Sequence, residues 1–368
     1  MNKYDIAVIG GGMVGAAVAV GFAKQGRSVV VVEGAEPKAF EISQALDVRV
    51  SAISHQSVKL LDSLGAWSAI ESMRVCPYRR LETWEHPECR TRFHSDELSL
   101  EQLGYIVENR LIQLGLWQAF AQHDNLTVMC PERLKDIEFA DVNRVTLESG
   151  EQFEANWVIG ACMLINVKTE LPQQDITWQQ FTPSGPRSFL PLCSLIEDGQ
   201  EVGQGSLVWY DSPKRIKQLC AMTKPQLREE ILRHFPAELG DIEVLQFGSF
   251  PLTRRHAQSY SNKNCVLVGD SAHTINPLAG QGVNLGFKDV DVLLAVTEQQ
   301  EQLNDALLAK YERARRPDNL LMQTGMDVFY KGFSNDLGPL KFARNAALKL
   351  AENSGPIKAQ VLKYALGM

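Results

Sequence analysis

The first 33 residues leave few folds open. Tyr4 to Ile9 is a strand-like apolar run. Gly10-Gly11-Gly12-Met13-Val14-Gly15 and a helical pattern through Ala23 follow it. The loop fits G-x-G-x-x-G at Gly10, Gly12 and Gly15, which supplies a tight turn, a close backbone approach to a pyrophosphate and close packing of helix on strand. A second strand, Ser28 to Val32, ends in Glu33, at the spacing of an acid that holds ribose hydroxyls. A lone glycine motif would be weak, and Glu33 alone would pass for a solvated strand end. Strand, loop, helix, strand and acid in this order point to a βαβ unit that binds a dinucleotide.

A second stretch, Cys265–Gly286 (CVLVGDSAHTINPLAGQGVNLG), narrows the ligand. Cys265 to Val268 reads as a short buried strand that empties into Gly269-Asp270. There a small residue admits a ligand to the backbone, and a carboxylate can accept hydrogen bonds from sugar-type hydroxyls. Pro277 and the turn Gly280-Gln281-Gly282 precede a helix that starts near Val283. The unpaired N–H groups at that helix start suit the electron-rich, partly anionic edge of an isoalloxazine ring. An ordinary strand–loop–helix connection is the plain alternative.

Bulk properties exclude several classes. With 368 residues and 45% hydrophobic content, the chain can bury a sizeable core. A net charge of −7 and a pI of about 5.6 argue against general nucleic-acid binding. The 7 cysteines contain no C-x-x-C pair and read as reduced cytosolic thiols, not as disulfides or a zinc site. The chain enters a strand at once, so no signal peptide is expected, and no apolar run is long enough to span a bilayer. The expected location is cytoplasmic, with peripheral contact at the inner membrane face.

Strand and helix patterns alternate in blocks. Residues 47–61 read as a loop and then a helix, with Arg49 just ahead of it; Arg49 suits a cofactor phosphate or a surface salt bridge. Residues 75–102 turn strand-rich and aromatic, Asn109–Gln122 is helical, and 162–252 is mostly β with one helix near Lys224–His234. The economical reading is an α/β chain with a Rossmann-type cofactor domain from 1–74, 103–161 and 253–330. A β-sheet substrate domain from 75–102 and 162–252 is inserted into it, and helices occupy 331–368. Ligands of such folds sit between the two domains, at the carboxyl ends of the parallel strands.

These segments together resemble the aromatic-ring flavoprotein monooxygenases of the p-hydroxybenzoate hydroxylase fold. Within them the chain is similar to the ubiquinone-biosynthesis hydroxylases, through RRLETWE (79–85), TWQQFTPSGPRSFLPL (177–192), SLVWYDSP (206–213) and MDVFYKGFSN (326–335). The resemblance covers nearly the whole chain. It implies that Gly10, Gly12, Gly15 and Glu33 hold the ADP half of FAD, with Arg49 and Arg110 near its phosphates or ribityl chain. It further implies that Asp270 binds the ribityl chain, that Pro277 lines the substrate side of the flavin, and that Gly280, Gln281, Gly282, Val283 and Asn284 meet the pyrimidine edge. NAD(P)H would visit transiently as reductant, since no second G-x-G-x-x-G is present. Reduced flavin and O₂ would give a C4a-hydroperoxide that hydroxylates a polyprenyl quinol ring.

One departure stands out. The family carries an Asp-Gly motif after the strand that here reads WVIGA (157–161), yet Gly160-Ala161 runs directly into Cys162-Met163-Leu164. One extended run would have to serve two strands in different domains, so the resemblance implies either a missing segment of roughly twenty residues between Ala161 and Cys162 or a shorter natural variant. No residue is assigned to that motif.

No G-x-S-x-G or H-E-x-x-H occurs, and no protein nucleophile is needed for a ring activated by its own hydroxyls. His273 is the one weak candidate for a general base; a structural hydrogen bonder that holds its loop is the commoner role for such a residue. Arg254-Arg255-His256 reads as a solvated strand end or as an attractor of an anionic cofactor. From Pro339 onward, Lys341, Arg344, Lys349, Lys358 and Lys363 face a single acid, Glu352. Phe342, Ala346 and Leu350 repeat at i, i+4, which predicts an amphipathic helix packed on the parent domain or a basic face that meets anionic lipid or a partner complex of the same biosynthesis. Two other readings remain: a flavin dehydrogenase or oxidase of amines, and a flavin-binding subunit without turnover.

Overall fold

A computed structural model describes residues 2–138, 143–159, 174–197, 200–248, 255–274, 282–300 and 304–366. Its centre is a parallel sheet in the order Leu126–Met129, Val29–Val32, Lys3–Ile9, Gln152–Ile159 and Cys265–Val266. Strand Val29–Val32 is four valines, all buried, as a parallel strand covered on both faces requires. A meander of Leu134–Glu138 and Asn143–Leu147 runs antiparallel onto the start of Gln152–Ile159. Helix Met13–Lys24 lies on the sheet with Val14 through Ala23 buried, so it is apolar all round. It is enclosed by helices Asn109–Phe120 and Gly282–Thr297, and a Cβ on Gly21 would stand 2.3 Å from Leu294 Cδ1.

Strand Val50–Ser54 falls where a loop was expected; it pairs with Gly104–Glu108, which also carries Val75–Tyr78. Its five residues are all buried, and burial outweighs the weak local pattern of VSAIS. A separate five-stranded sheet takes its strands from two distant pieces of chain. Arg80–Trp84 and Arg90–His94 join Ile176–Gln180, Arg187–Glu197 and Gln200–Trp209, with Arg80–Trp84 parallel to Ile176–Gln180. One face buries Trp84, Trp178, Phe189 and Leu207 against the helices Pro213–Cys220 and Lys224–His234, one helix more than the pattern suggested. The other face sets Leu190 and Leu192 against Val50, Ala52 and Ile106 of the three-stranded sheet.

The C-terminal part is helical: Asp305–Phe333, Gly338–Glu352 and Pro356–Ala365. Gly338–Glu352 is turned opposite to the expected packing. Arg344 and Asn345 point inward to Glu85, at 2.5 Å and 2.9 Å, and Thr91 donates to the carbonyl of Leu348 at 2.9 Å. The apolar stripe faces out, with Phe342 80% and Leu350 72% exposed. The buried carboxylate of Glu85 explains the orientation: an uncompensated buried charge costs more than two exposed apolar side chains.

Candidate functional site

The carboxyl ends of the parallel strands bring the glycine loop, Glu33 and Gly269-Asp270 to one edge. Gly10 takes a positive φ of 100°, and its N–H donates to the carbonyl of Val32 at 2.8 Å. A Cβ on Gly15 would stand 2.0 Å from the carbonyl oxygen of Gly10, so only glycine lets the helix start this close to the loop. A Cβ on Gly12 would meet nothing within 4 Å, which leaves the loop open on its ligand side. Glu33 is half-buried; Oε2 accepts from the N–H of Gly11 at 2.7 Å and Oε1 from that of Ala35 at 3.1 Å. From behind, Gln113 Nε2 and Trp117 Nε1 both donate to the carbonyl of Gly11, at 2.9 and 2.7 Å.

Arg110 shares that helix face, since 110, 113 and 117 lie three and four residues apart. Its Nε donates to Asp47 Oδ2 at 2.8 Å, and its Nη1 donates to the carbonyls of Lys38 and Ala39. Arg49 is half-buried one residue before the neighbouring strand, and its carbonyl accepts from the N–H of Asn109 at 2.9 Å. The two arginines therefore flank one strand pair.

The two distant cofactor stretches meet at glycines. Gly269 takes a φ of 54°, and its Cα approaches Gly286; a Cβ on Gly286 would stand 2.7 Å from Val14 Cγ2. The helix expected near Val283 begins at Gly282, in front of the same edge. Asn284 is buried and spends its side chain on structure. Its Oδ1 accepts from Ser54 N and Ser57 Oγ, and its Nδ2 donates to the carbonyl of Ala52. Pro277, Gly280 and Gln281 lie outside the described residues, as do Arg254 and the junction at 161/162.

Asp270 is half-buried beside this edge. Its carbonyl accepts from Thr274 Oγ1 at 3.3 Å, whereas its carboxylate has no hydrogen-bond partner among the described residues. Burial pushes the carboxyl from 3.8 up to about 6, against the pull of His273. A carboxylate held this way is poised for a ligand's hydroxyls.

His273 is 1% exposed, and its Nε2 sits 2.5 Å from Asp289 Oδ2. Sequence reasoning missed Asp289. Fully buried, it also accepts from the N–H of Gly269 at 2.9 Å, from Arg315 Nε at 2.8 Å and from Asn319 Nδ2 at 3.0 Å. Burial alone would raise the Asp289 carboxyl; His273 and Arg315 outweigh it and hold the group below its ordinary value. The backbone of the Gly269-Asp270 turn is thus fixed from behind by a buried ionic cluster on two helices. The sequence signal was a charged pair, Asp289 and Arg315, at inward positions of two helices.

The face of the five-stranded sheet that carries Leu190 and Leu192 also carries a row of polar side chains, Thr83, Thr177, Gln179, Ser188, Gln204 and Ser206, all buried except the half-buried Thr83. Ser188 Oγ donates to Gln179 Oε1 at 3.3 Å, while Thr83 Oγ1, Thr177 Oγ1 and Gln204 Nε2 have no hydrogen-bond partner among the described residues. Among the described residues no group of His, Cys, Asp or Glu could hold a metal ion, and no helix is long and apolar enough to cross a membrane.

These features fit FAD: an open glycine loop for a pyrophosphate, an acid at the second strand, and a half-buried carboxylate without a partner among the described residues at the second stretch. Residues 163–320 match the family described as "FAD binding domain". Residues 5–60, which span the first strand, glycine loop and second strand, match one described as "NADP oxidoreductase coenzyme F420-dependent". The chain is 47% identical over 393 residues to the Escherichia coli 3-demethoxyubiquinol 3-hydroxylase, covering 99% of this chain and 98% of that one. It is 30% identical over 398 residues to the Rhodospirillum rubrum ubiquinone hydroxylase UbiL, covering 99% and 89%. Since the first alignment runs over 393 positions and this chain has 368 residues, at least 25 aligned positions have no residue here. Two solved structures share the fold at low identity. Pseudomonas aeruginosa PqsL has a TM-score of 0.73 at 17% identity, covering 94% of this chain and 100% of that one. Pseudomonas putida p-nitrophenol 4-monooxygenase PnpA has a TM-score of 0.73 at 15%, covering 100% and 98%. On these grounds the chain belongs to the ubiquinone-biosynthesis hydroxylases, a family of FAD-dependent monooxygenases.

Proposed function

We propose that the chain hydroxylates the ring of a polyprenyl benzoquinol, with NAD(P)H as transient reductant, O₂ as co-substrate and a demethoxyubiquinol as substrate. The identity of 47% to a 3-demethoxyubiquinol 3-hydroxylase over almost the full length carries this reading. When bound, FAD supplies the reductive activation of O₂ and delivers one oxygen atom to the ring, the second leaving as water.

The protein's part is to bind, orient and exclude water. Gly10, Gly12 and Gly15 would admit the pyrophosphate, Glu33 the ribose hydroxyls, and Arg49 and Arg110 the phosphates or ribityl chain. Asp270 would accept from ribityl hydroxyls, which returns to its carboxylate the hydrogen bonds that burial removed. The start of helix Gly282–Thr297, through Gly282, Val283 and the backbone of Asn284, would stabilise negative charge at the pyrimidine edge, with Pro277, Gly280 and Gln281 leading into it. His273, buried against Asp289, acts as a positioning residue for the Gly269-Asp270 turn, not as a base. The row Thr83, Thr177 and Gln204 would meet the oxygens of the quinol ring, with the two domains 1–74, 103–161, 253–330 and 75–102, 162–252 closing on either side.

The experiment is turnover of purified, FAD-reconstituted protein with NADH and a short-tail demethoxyquinol. The expected result is NADH consumption that rises with the quinol and a product heavier by one oxygen atom. Peroxide without ring oxygenation would refute the hydroxylase reading; a yellow protein with neither product would mark a flavin-binding chain without turnover.

A further inference from the structure

The C-terminal helices leave an apolar face uncovered. Of the 14 most exposed large hydrophobic residues described, 10 fall between Leu321 and Tyr364, so the exposure is a local feature and not a general one. It follows helical spacing on each of three helices: Leu321 and Val328 on Asp305–Phe333, Phe342 and Leu350 on Gly338–Glu352, Ile357 and Val361 on Pro356–Ala365. Each of these helices uses its other face to dock. Phe333 stacks on Phe181 at 4.2 Å, Arg344 reaches Glu85, and Leu362 and Leu366 enter the core beside Tyr78 and Leu103. The helices are therefore held in place while their apolar stripes face water, the reverse of an ordinary surface helix.

Charge decides what fits there. Three of the five cations of this region are already paired: Arg344 with Glu85, Lys358 with Glu97 and Glu352, and Lys341 with Asp336. Lys349 and Lys363 make no ion pair among the described residues and are exposed; Lys349 lies seven residues from Phe342 and so shares its helical face, whereas Lys363, two residues from Val361, points away from it. The one carboxylate of 338–366, Glu352, is turned inward to Lys358 and to the N–H of Arg92. An apolar face beside the free Lys349, with no free carboxylate within 338–366, complements an anionic bilayer surface, where the stripes reach the acyl boundary and the ammonium group snorkels to phosphates.

We propose that the exposed stripes of these three helices seat the protein on an anionic lipid surface. The inference deepens the functional reading and rests on it in one respect, because a polyprenyl quinol resides in the bilayer and must be reached there. It also replaces the electrostatic form of the expectation: three of the five cations are already paired within the chain, and contact falls to Phe342, Leu350, Ile357 and Val361.

The test is co-flotation of the FAD-loaded full chain with phosphatidylglycerol–phosphatidylcholine vesicles and with phosphatidylcholine alone. The variants are Phe342→Ser with Leu350→Ser, Lys349→Glu with Lys363→Glu, and Ile42→Ser as an exposed control far in sequence. Expected is flotation with anionic vesicles that falls about tenfold or more in the serine pair and clearly in the glutamate pair, with no change in the control. Flavin absorbance and turnover of a short-tail, water-soluble quinol should stay as in the wild type. Wild-type protein that does not float, or a serine pair that floats unchanged, overturns the proposal. So does a dimeric mass in solution that the serine pair splits to monomer without any flotation, since the face would then join two copies. Absence of turnover with the short-tail quinol while flotation persists would instead sink the functional reading alone.

Discussion

Asp270→Asn separates a residue kept for a ligand from one kept for the fold. Burial lifts this carboxyl from 3.8 to about 6, so ionising it in place costs the flavin-free protein about 3 kcal/mol. The folded-state value lies above the unfolded one, and the native chain therefore holds the proton more tightly. Stability then falls as pH rises from 3.8 to about 6, and the full penalty stands above that window. Asparagine has the same shape and no charge to bury. Flavin-free Asp270→Asn is expected to exceed the wild type by up to about 3 kcal/mol at pH 7.5 and to match it near pH 4.

FAD should reverse the order. The ionised carboxylate accepts from ribityl hydroxyls, and hydrogen bonds to a charged group contribute about 1.5–3 kcal/mol, so the variant should bind FAD about 10–100-fold more weakly at pH 7.5. Urea denaturation of both proteins at the two pH values, with and without saturating FAD, reads both arms. A flavin-free variant less stable than the wild type at pH 7.5 would refute the strain argument, and unchanged FAD affinity would remove Asp270 from the site.

Two further outcomes follow from the same geometry. Asp289→Asn removes one of the two carboxylates paired with the buried guanidinium of Arg315, leaving Asp318 at 2.5 Å, and should cost up to about 3 kcal/mol by urea denaturation, while Asp289→Asn with Arg315→Met should cost well under the sum; strict additivity would mean that the pair is not coupled. Gly15→Ala places a methyl 2.0 Å from a backbone oxygen that cannot swing away; the loop must shift, FAD retention on gel filtration should drop sharply, and a variant that stays yellow would contradict the packing.

The parts of the fold that were legible in the sequence are those whose function fixes their local chemistry. The glycine loop, the four-valine strand and the helix start at Gly282 follow from backbone requirements that few residue types meet. Val50–Ser54 was hidden because VSAIS carries neither clean alternation nor an aromatic; its strand character comes from pairing with Gly104–Glu108 across a long sequence distance. Asp289 was hidden for a similar reason. Among inward positions of an apolar helix it reads as a misplaced polar residue until Arg315, Asn319 and the N–H of Gly269 are assembled around it. The orientation of Gly338–Glu352 could not be read from its own pattern either, since the stripe of Phe342 and Leu350 argued for the inward face. Glu85, far away in sequence, decided it.

The long helix Asp305–Phe333 then acquires a meaning that neither stretch of cofactor residues gives it. At 29 residues it runs about 44 Å. Its first half holds Arg315 and Asn319 against Asp289, and so fixes the turn that carries Asp270. Gln323, farther along, donates to the carbonyls of Thr274 and Arg255 at 3.1 Å. Its last turn stacks Phe333 on Phe181, just past strand Ile176–Gln180, and meets Arg344, which stands 5.5 Å over the Phe333 ring. One continuous helix, with Pro317 inside it, therefore touches the Gly269-Asp270 turn, the end of strand Ile176–Gln180 and the helices with the uncovered apolar stripes. The end of the chain that carries the uncovered stripes is thereby joined by packed side chains to the turn that carries Asp270.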